Sequence, residues 1–106
     1  MEILLPIVDF LVEEFDVLLS IDTCRSNVAH ESLVHGASII NDIWGLKYDA
    51  EIAKVVSQYE GKLVIMHNQE NNIYNSMLTD VAKSLLDSVN VAKINGLKQN
   101  DIILDP

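Results

Sequence analysis

The chain has 106 residues, 49% of them hydrophobic and 22% charged, which bounds it to one globular domain or part of one. Its formal net charge of −9 argues against a nucleic-acid backbone or an anionic membrane as a general partner, but leaves room for a small anionic ligand held locally. A single cysteine, Cys24, rules out an internal disulfide and reads as a small packing residue at a helix start in a reducing cytoplasm.

The N-terminal stretch MEILLPIVDFLVEEFDVLLSI is apolar but is broken by Glu2, Asp9, Glu13, Glu14 and Asp16. Those acids break both a signal peptide and a membrane span, which needs about 20 nearly uncharged residues. Leu4, Ile7, Val8, Leu11 and Phe15 instead follow helical spacing, with acids on the other face. VLLSIDT then has strand character. CRSNVAHESLVHG reads as a helix with Val28, Ala29, Ser32 and Leu33 on one side and Gly36 as its C-cap. SIINDI is a second strand. The helix within GLKYDAEIAKVVSQYEG is expected to be capped by Asp49 and closed by Gly61, and KLVIMHN is a third strand. A polar loop, QENNIYNS, leads to a long helix with Leu78, Val81, Leu85, Val89 and Ala92 on one face, ended by Asn95 and Gly96. DIILDP supplies a fourth strand. No linker rich in glycine, serine or proline marks an internal domain boundary.

Strands alternating with helices predict parallel strands joined by right-handed crossovers. The strands are almost wholly apolar, as expected where both faces are covered. Two architectures fit: a doubly wound open sheet, or a segment of a (β/α)8 barrel with about four of its strands.

Each strand ends on polar groups: Asp22 after SID, Asn41 and Asp42 in IIND, Met66, His67 and Asn68 in VIMHN, and Asp105 after IILD. The C-terminal tips of parallel strands face one mouth, where α/β active sites are built. Side chains alternate across a strand, so one consistent choice gathers Asp22, Asn41, Met66 and Asp105, backed by Ile43 and Val64. Ser20 and Ile103 share that face, while Ile21, Asp42, Ile65 and His67 take the other. The result is an apolar-walled pocket with two carboxylates and one amide. Such a set suits a flat ligand rich in N–H groups, because buried carboxylates need donors. The plainer roles are helix capping by Asp22 or Thr23, a turn at Asp105, and a structural acceptor at Asp42. His30 and His35, five residues apart on a helix, do not share a face with each other, and no metal-type spacing involves His67. Glycine-rich dinucleotide, P-loop and nucleophile-elbow motifs are absent.

SIDT, GASIINDIWGL, VIMHN and IILDP, in this order and spacing, resemble dihydropteroate synthase over essentially the whole chain. The resemblance implies a (β/α)8 barrel. Residues 1–106 would form its middle, a partial pterin-binding domain continued at both ends. It implies condensation of a dihydropterin-methyl diphosphate with p-aminobenzoate to give dihydropteroate and diphosphate, on the folate route that sulfonamides target. Asp22, Asn41 and Asp105 match residues that hydrogen-bond the pterin, and Ile43, Val64 and Met66 match those lining its sides. Asp22 would also stabilise cationic character on the ring as the diphosphate leaves. Mg2+ would travel with the diphosphate, held by parts of the barrel outside this chain. A Lys and an Arg from later strands and the surfaces of a homodimer would lie outside it too. MHNQ departs from the common MHM, and Cys24 stands where relatives often carry Tyr. The alternatives are a pterin-binding methyltransferase feeding a corrinoid protein, against which MHN speaks, or a non-catalytic fragment. The isolated chain is expected to be inactive and to self-associate through its open strand edges.

Overall fold

The computed structural model describes residues 4–15, 18–66 and 77–105. His67, Asn68, the polar loop and Pro106 lie outside the described residues. The elements follow the expected order: α1 (Leu4–Glu14), β1 (Ser20–Asp22), α2 (Ser26–Val34), β2 (Ile39–Asp42), α3 (Glu51–Gln58), β3 (Lys62–Met66), α4 (Met77–Ile94), a 3-10 turn (Gln99–Asp101) and β4 (Ile102–Asp105).

All pairings are parallel, and the spatial order is β1-β2-β3-β4. A strictly sequential order decides between the two architectures. A doubly wound sheet reverses its strand order at a switch point and covers both faces with helices. Here the order never reverses. The helix-side residues Ile21, Ile40, Leu63 and Ile65 are buried, whereas Ser20, Asp22, Ile103 and Asp105 on the other face are exposed. This is the single winding of a barrel wall. The strands are thus less evenly covered than their apolar composition suggests.

The core fills the space between strands and helices: Ala29 and Leu33 from α2, Ile52, Ala53 and Val56 from α3, and Leu85 and Ala92 from α4 meet the helix-side strand residues. Helical spacing explains why these positions share a face. Two helices depart from the expected stripe. In α4, Leu78 is 82% exposed, because the helix meets the sheet only from about Val81 onward. In α1 only Val8 is buried, while Ile7 and Phe15 are exposed. Helix α1 is anchored to the end of α2 instead: the Nδ1 of His35 lies 2.7 Å from the Asp9 carboxylate, and Gly36 leaves room for Val12.

The helix ends correct two expectations. The residue in the left-handed region after α3 is Glu60 (φ 55°), not Gly61. Gly61 is required for another reason: a Cβ there would sit 3.2 Å from both Leu33 and the Ser38 carbonyl oxygen. Neither Asp22 nor Thr23 caps α2. Thr23 Oγ1 accepts the Arg25 N–H at 3.1 Å, and the first amide of α2, Ser26, donates to Asp49 at 2.8 Å. Asp49 is the expected cap of α3 as well, accepting from Glu51 N at 3.1 Å.

Candidate functional site

The strand register fixes how the candidate residues sit. Asp22 pairs with Asn41, Asn41 with Val64, and Val64 with Ile103, forming one row across the open face. Met66 pairs with Asp105 one repeat nearer the mouth. Ile43 follows directly after β2 and is exposed. The face therefore carries Asp22, Asn41, Val64, Met66 and Asp105 together, with Ile43 in the turn that directly follows β2. Ile103 completes the row, and alternation with Asp105 was sufficient signal to place it there. Strands lie about 4.8 Å apart, so β1 and β4 are about 14 Å apart across the wall, with Asp105 one repeat nearer the mouth than Asp22.

The chemistry of this face is one-sided. Asp22 and Asp105 are exposed carboxylates that can only accept hydrogen bonds when ionised. Between them, Asn41 has a buried side-chain oxygen that makes no hydrogen bond among the described residues. An orphaned buried acceptor costs about 1–3 kcal/mol, so a donor that reaches it is favoured. Val64 and Met66 offer apolar surface beside it. A flat ligand with several N–H groups satisfies all of these at once. Among the described residues the face carries no cation: the lysine on the strands, Lys62, is tied to Asp101 at 3.1 Å at the opposite end of the sheet.

Behind the row, Asp42 points to the helix side and is completely buried. Its two oxygens accept the N–H groups of Trp44 at 3.0 Å and Leu46 at 2.9 Å. Burial pushes its pKa above the ordinary carboxylate value, aided by the negative charge of Asp49 and opposed by the hydrogen bonds from Leu46, Trp44 and Gly45. It is the structural acceptor expected from the sequence. Asp49, at the far end of the same β2–α3 connection, shows the opposite balance. Partial burial raises its pKa, but hydrogen bonds from Ser26 and Glu51 outweigh this and leave it below the usual value. Among the described residues no group of three His, Cys, Asp or Glu side chains is arranged to hold a metal ion.

A singly wound parallel wall with its acceptors gathered at the strand tips is the architecture of the (β/α)8 barrel class, in which sites are built at that end. The chain belongs to the family of pterin-binding enzymes, which it matches over residues 1–106. It is 42% identical over 101 residues to the dihydropteroate synthase of Clostridium beijerinckii, covering 95% of this chain and 38% of that one. Against the dihydropteroate synthase of Bacillus subtilis it is 40% identical over 102 residues, 96% of this chain and 36% of the relative. It superposes on the dihydropteroate synthase of Clostridium difficile, solved in the presence of pteroic acid, with a TM-score of 0.93 at 35% identity, over 95% of this chain and 39% of that one. The Coxiella burnetii dihydropteroate synthase, in complex with pteroic acid, gives a TM-score of 0.88 at 31% identity, over 99% of this chain and 40% of its own. The chain thus spans about two fifths of the length of these relatives.

Proposed function

We propose that this chain is the central, pterin-binding part of a dihydropteroate synthase, and that the open face of its sheet is one wall of the pterin pocket. One observation carries the reading: the buried oxygen of Asn41, which has no hydrogen-bond partner among the described residues, lies in register with Asp22 at the tip of β1 and one repeat below Asp105 at the tip of β4. In this reading Asp22, Asn41 and Asp105 accept or exchange hydrogen bonds with the ring N–H and amino groups. Ile43, Val64 and Met66 pack on its faces.

The reaction forms a C–N bond from the amine of p-aminobenzoate to the exocyclic methylene of the pterin. The C–O bond to diphosphate breaks and the amine loses a proton. Positive charge builds on the ring as the diphosphate departs. Asp22 is the catalytic group here: an ionised carboxylate against the ring stabilises that charge more than it stabilises the neutral ground state. Mg2+ would accompany the diphosphate and neutralise its charge as it leaves. The acidic balance fits small-molecule substrates over nucleic acid, and among the described residues no helix is long and apolar enough to cross a membrane. A cytoplasmic setting and a homodimeric complete enzyme accompany the proposal.

The test is a segment exchange. These 106 residues replace the matched stretch of the Clostridium beijerinckii synthase, giving a swap enzyme. The swap enzyme is expected to form dihydropteroate and to bind pteroate. Asp22→Asn and Asp105→Asn should each weaken pteroate by at least about tenfold, the loss of one charged hydrogen bond. Pteroate affinity unchanged in both variants would sink the pocket assignment.

A further inference from the structure

The β2–α3 turn is held far more tightly than a connecting loop requires. Asp42 clamps it from below through two amides, Trp44 and Leu46. From the side, the Ser88 hydroxyl of α4 donates to the Gly45 carbonyl. Gly45 has φ 57°, and a Cβ there would lie 2.7 Å from the Met66 carbonyl oxygen. The turn is thus pressed directly against the tip of β3. It begins at Ile43, immediately after Asn41 and Asp42. Three candidate pterin residues, Asn41, Ile43 and Met66, therefore take their placement from one small bracket.

Neither Asp42 nor Ser88 can touch a ligand on the open face. Asp42 is completely buried on the helix side, and Ser88 is buried within α4. A buried carboxylate is costly unless its hydrogen bonds do something that an apolar residue could not. Here they fix a turn whose left-handed glycine has no room to shift. We propose that Asp42 and Ser88 are positioning residues for pterin recognition, acting through the β2–α3 turn to aim Asn41 and Ile43 and to seat the β3 tip at Met66. The inference rests on the pterin-pocket reading above and adds to it a pair of residues that set specificity without contacting substrate.

The swap enzyme provides the test, with KM measured separately for the pterin diphosphate and for p-aminobenzoate, and pteroate affinity measured by titration. Asp42→Ala is expected to raise the pterin KM and the pteroate Kd by about tenfold, equivalent to one lost hydrogen bond of the ligand, while the p-aminobenzoate KM stays within about twofold. Ser88→Ala should shift the same two quantities in the same direction by about threefold, since one neutral hydrogen bond is removed. Asp42→Asn keeps one acceptor oxygen and should fall between wild type and Asp42→Ala. Ile52→Val, a core truncation on α3 away from the turn, controls for general loosening and should leave both KM values unchanged. Should Asp42→Ala not fold, Asp42→Asn and Ser88→Ala decide the question. Pterin KM and Kd within about twofold of the swap enzyme in those variants, or both substrates weakened in parallel, would overturn the positioning role. If Asp22→Asn and Asp105→Asn also leave pteroate affinity unchanged, the pocket reading itself fails; if only the Asp42 and Ser88 variants are silent, the pocket stands and the bracket does not.

Discussion

Replacing Asp49 by alanine should loosen two helices at once. Its Oδ2 accepts the first amide of α2 and its Oδ1 that of α3, although Ser26 and Glu51 are 25 residues apart in sequence. Both helices are short, nine and eight residues, and neither makes a capping hydrogen bond from its own flanking residue. Short helices depend on packing and on their ends, since nucleation is costly. A lost N-cap costs about 1 kcal/mol, and the carboxylate also meets the positive ends of two helix dipoles, so about 1 kcal/mol is expected at each helix. That corresponds to about fivefold faster amide exchange in each first turn. Hydrogen–deuterium exchange of the swap enzyme at pH 7, followed on peptides covering residues 26–34 and 51–58, reads the two ends separately. Asp49→Asn retains one acceptor and should release one helix more than the other. Faster exchange confined to 51–58 in Asp49→Ala would refute the shared cap, and no change in either peptide would refute capping altogether.

Glu60→Gly should stabilise the fold by about 0.5 kcal/mol: relief of a left-handed side-chain conformation, about 1 kcal/mol, outweighs the added freedom of the unfolded chain. A lower thermal midpoint would contradict it. The two perturbed aspartates should give opposite pH profiles. Asp42 has a raised folded pKa, so its contribution is fully present below the ordinary value of 3.8 and is lost as pH rises through the folded pKa. The stability difference between wild type and Asp42→Asn should therefore shrink as pH climbs from below 3.8 through the raised folded pKa, as chemical denaturation would show. Asp49 has a lowered pKa, so its contribution is present above 3.8 and is lost as pH falls through the folded value. Its difference from Asp49→Ala should shrink only in acid. Finally, the pure 106-residue chain should self-associate. Its inner face and a groove of about 790 Å³ between α4 and β4, with Leu86 and Leu104 exposed, present apolar surface beside open strand edges. Sedimentation of a stable, dilute monomer would count against this. That chain should also form no dihydropteroate from pterin diphosphate and p-aminobenzoate, as direct assay would show.

The sequence by itself determined the elements and the shared face of the candidate site. Strand alternation is a local rule with a period of two, so Asp22, Asn41, Val64, Met66 and Asp105 could be sorted from Ile21, Asp42 and Ile65 without coordinates. Composition could not separate a barrel wall from a doubly wound sheet, because strand order is a property of the whole chain; the sequential pairing decided it. The same limit applies to the supports of the site. Asp49 was legible as a cap for the helix that follows it, two residues away, but not for α2, whose start lies 23 residues earlier. Asp42 was legible as a structural acceptor, yet the Ser88 bond to the Gly45 carbonyl, which completes the bracket, joins positions 43 residues apart. Left-handed backbone at Glu60 defied the preference for the neighbouring glycine, because Gly61 was already needed where Leu33 and the Ser38 carbonyl approach. Periodicity and side-chain chemistry act over a few residues and can be read along the chain. Close approach, shared caps and the bracket behind Asn41 arise only when distant segments compete for the same space, and only the packed structure decides which of them prevails.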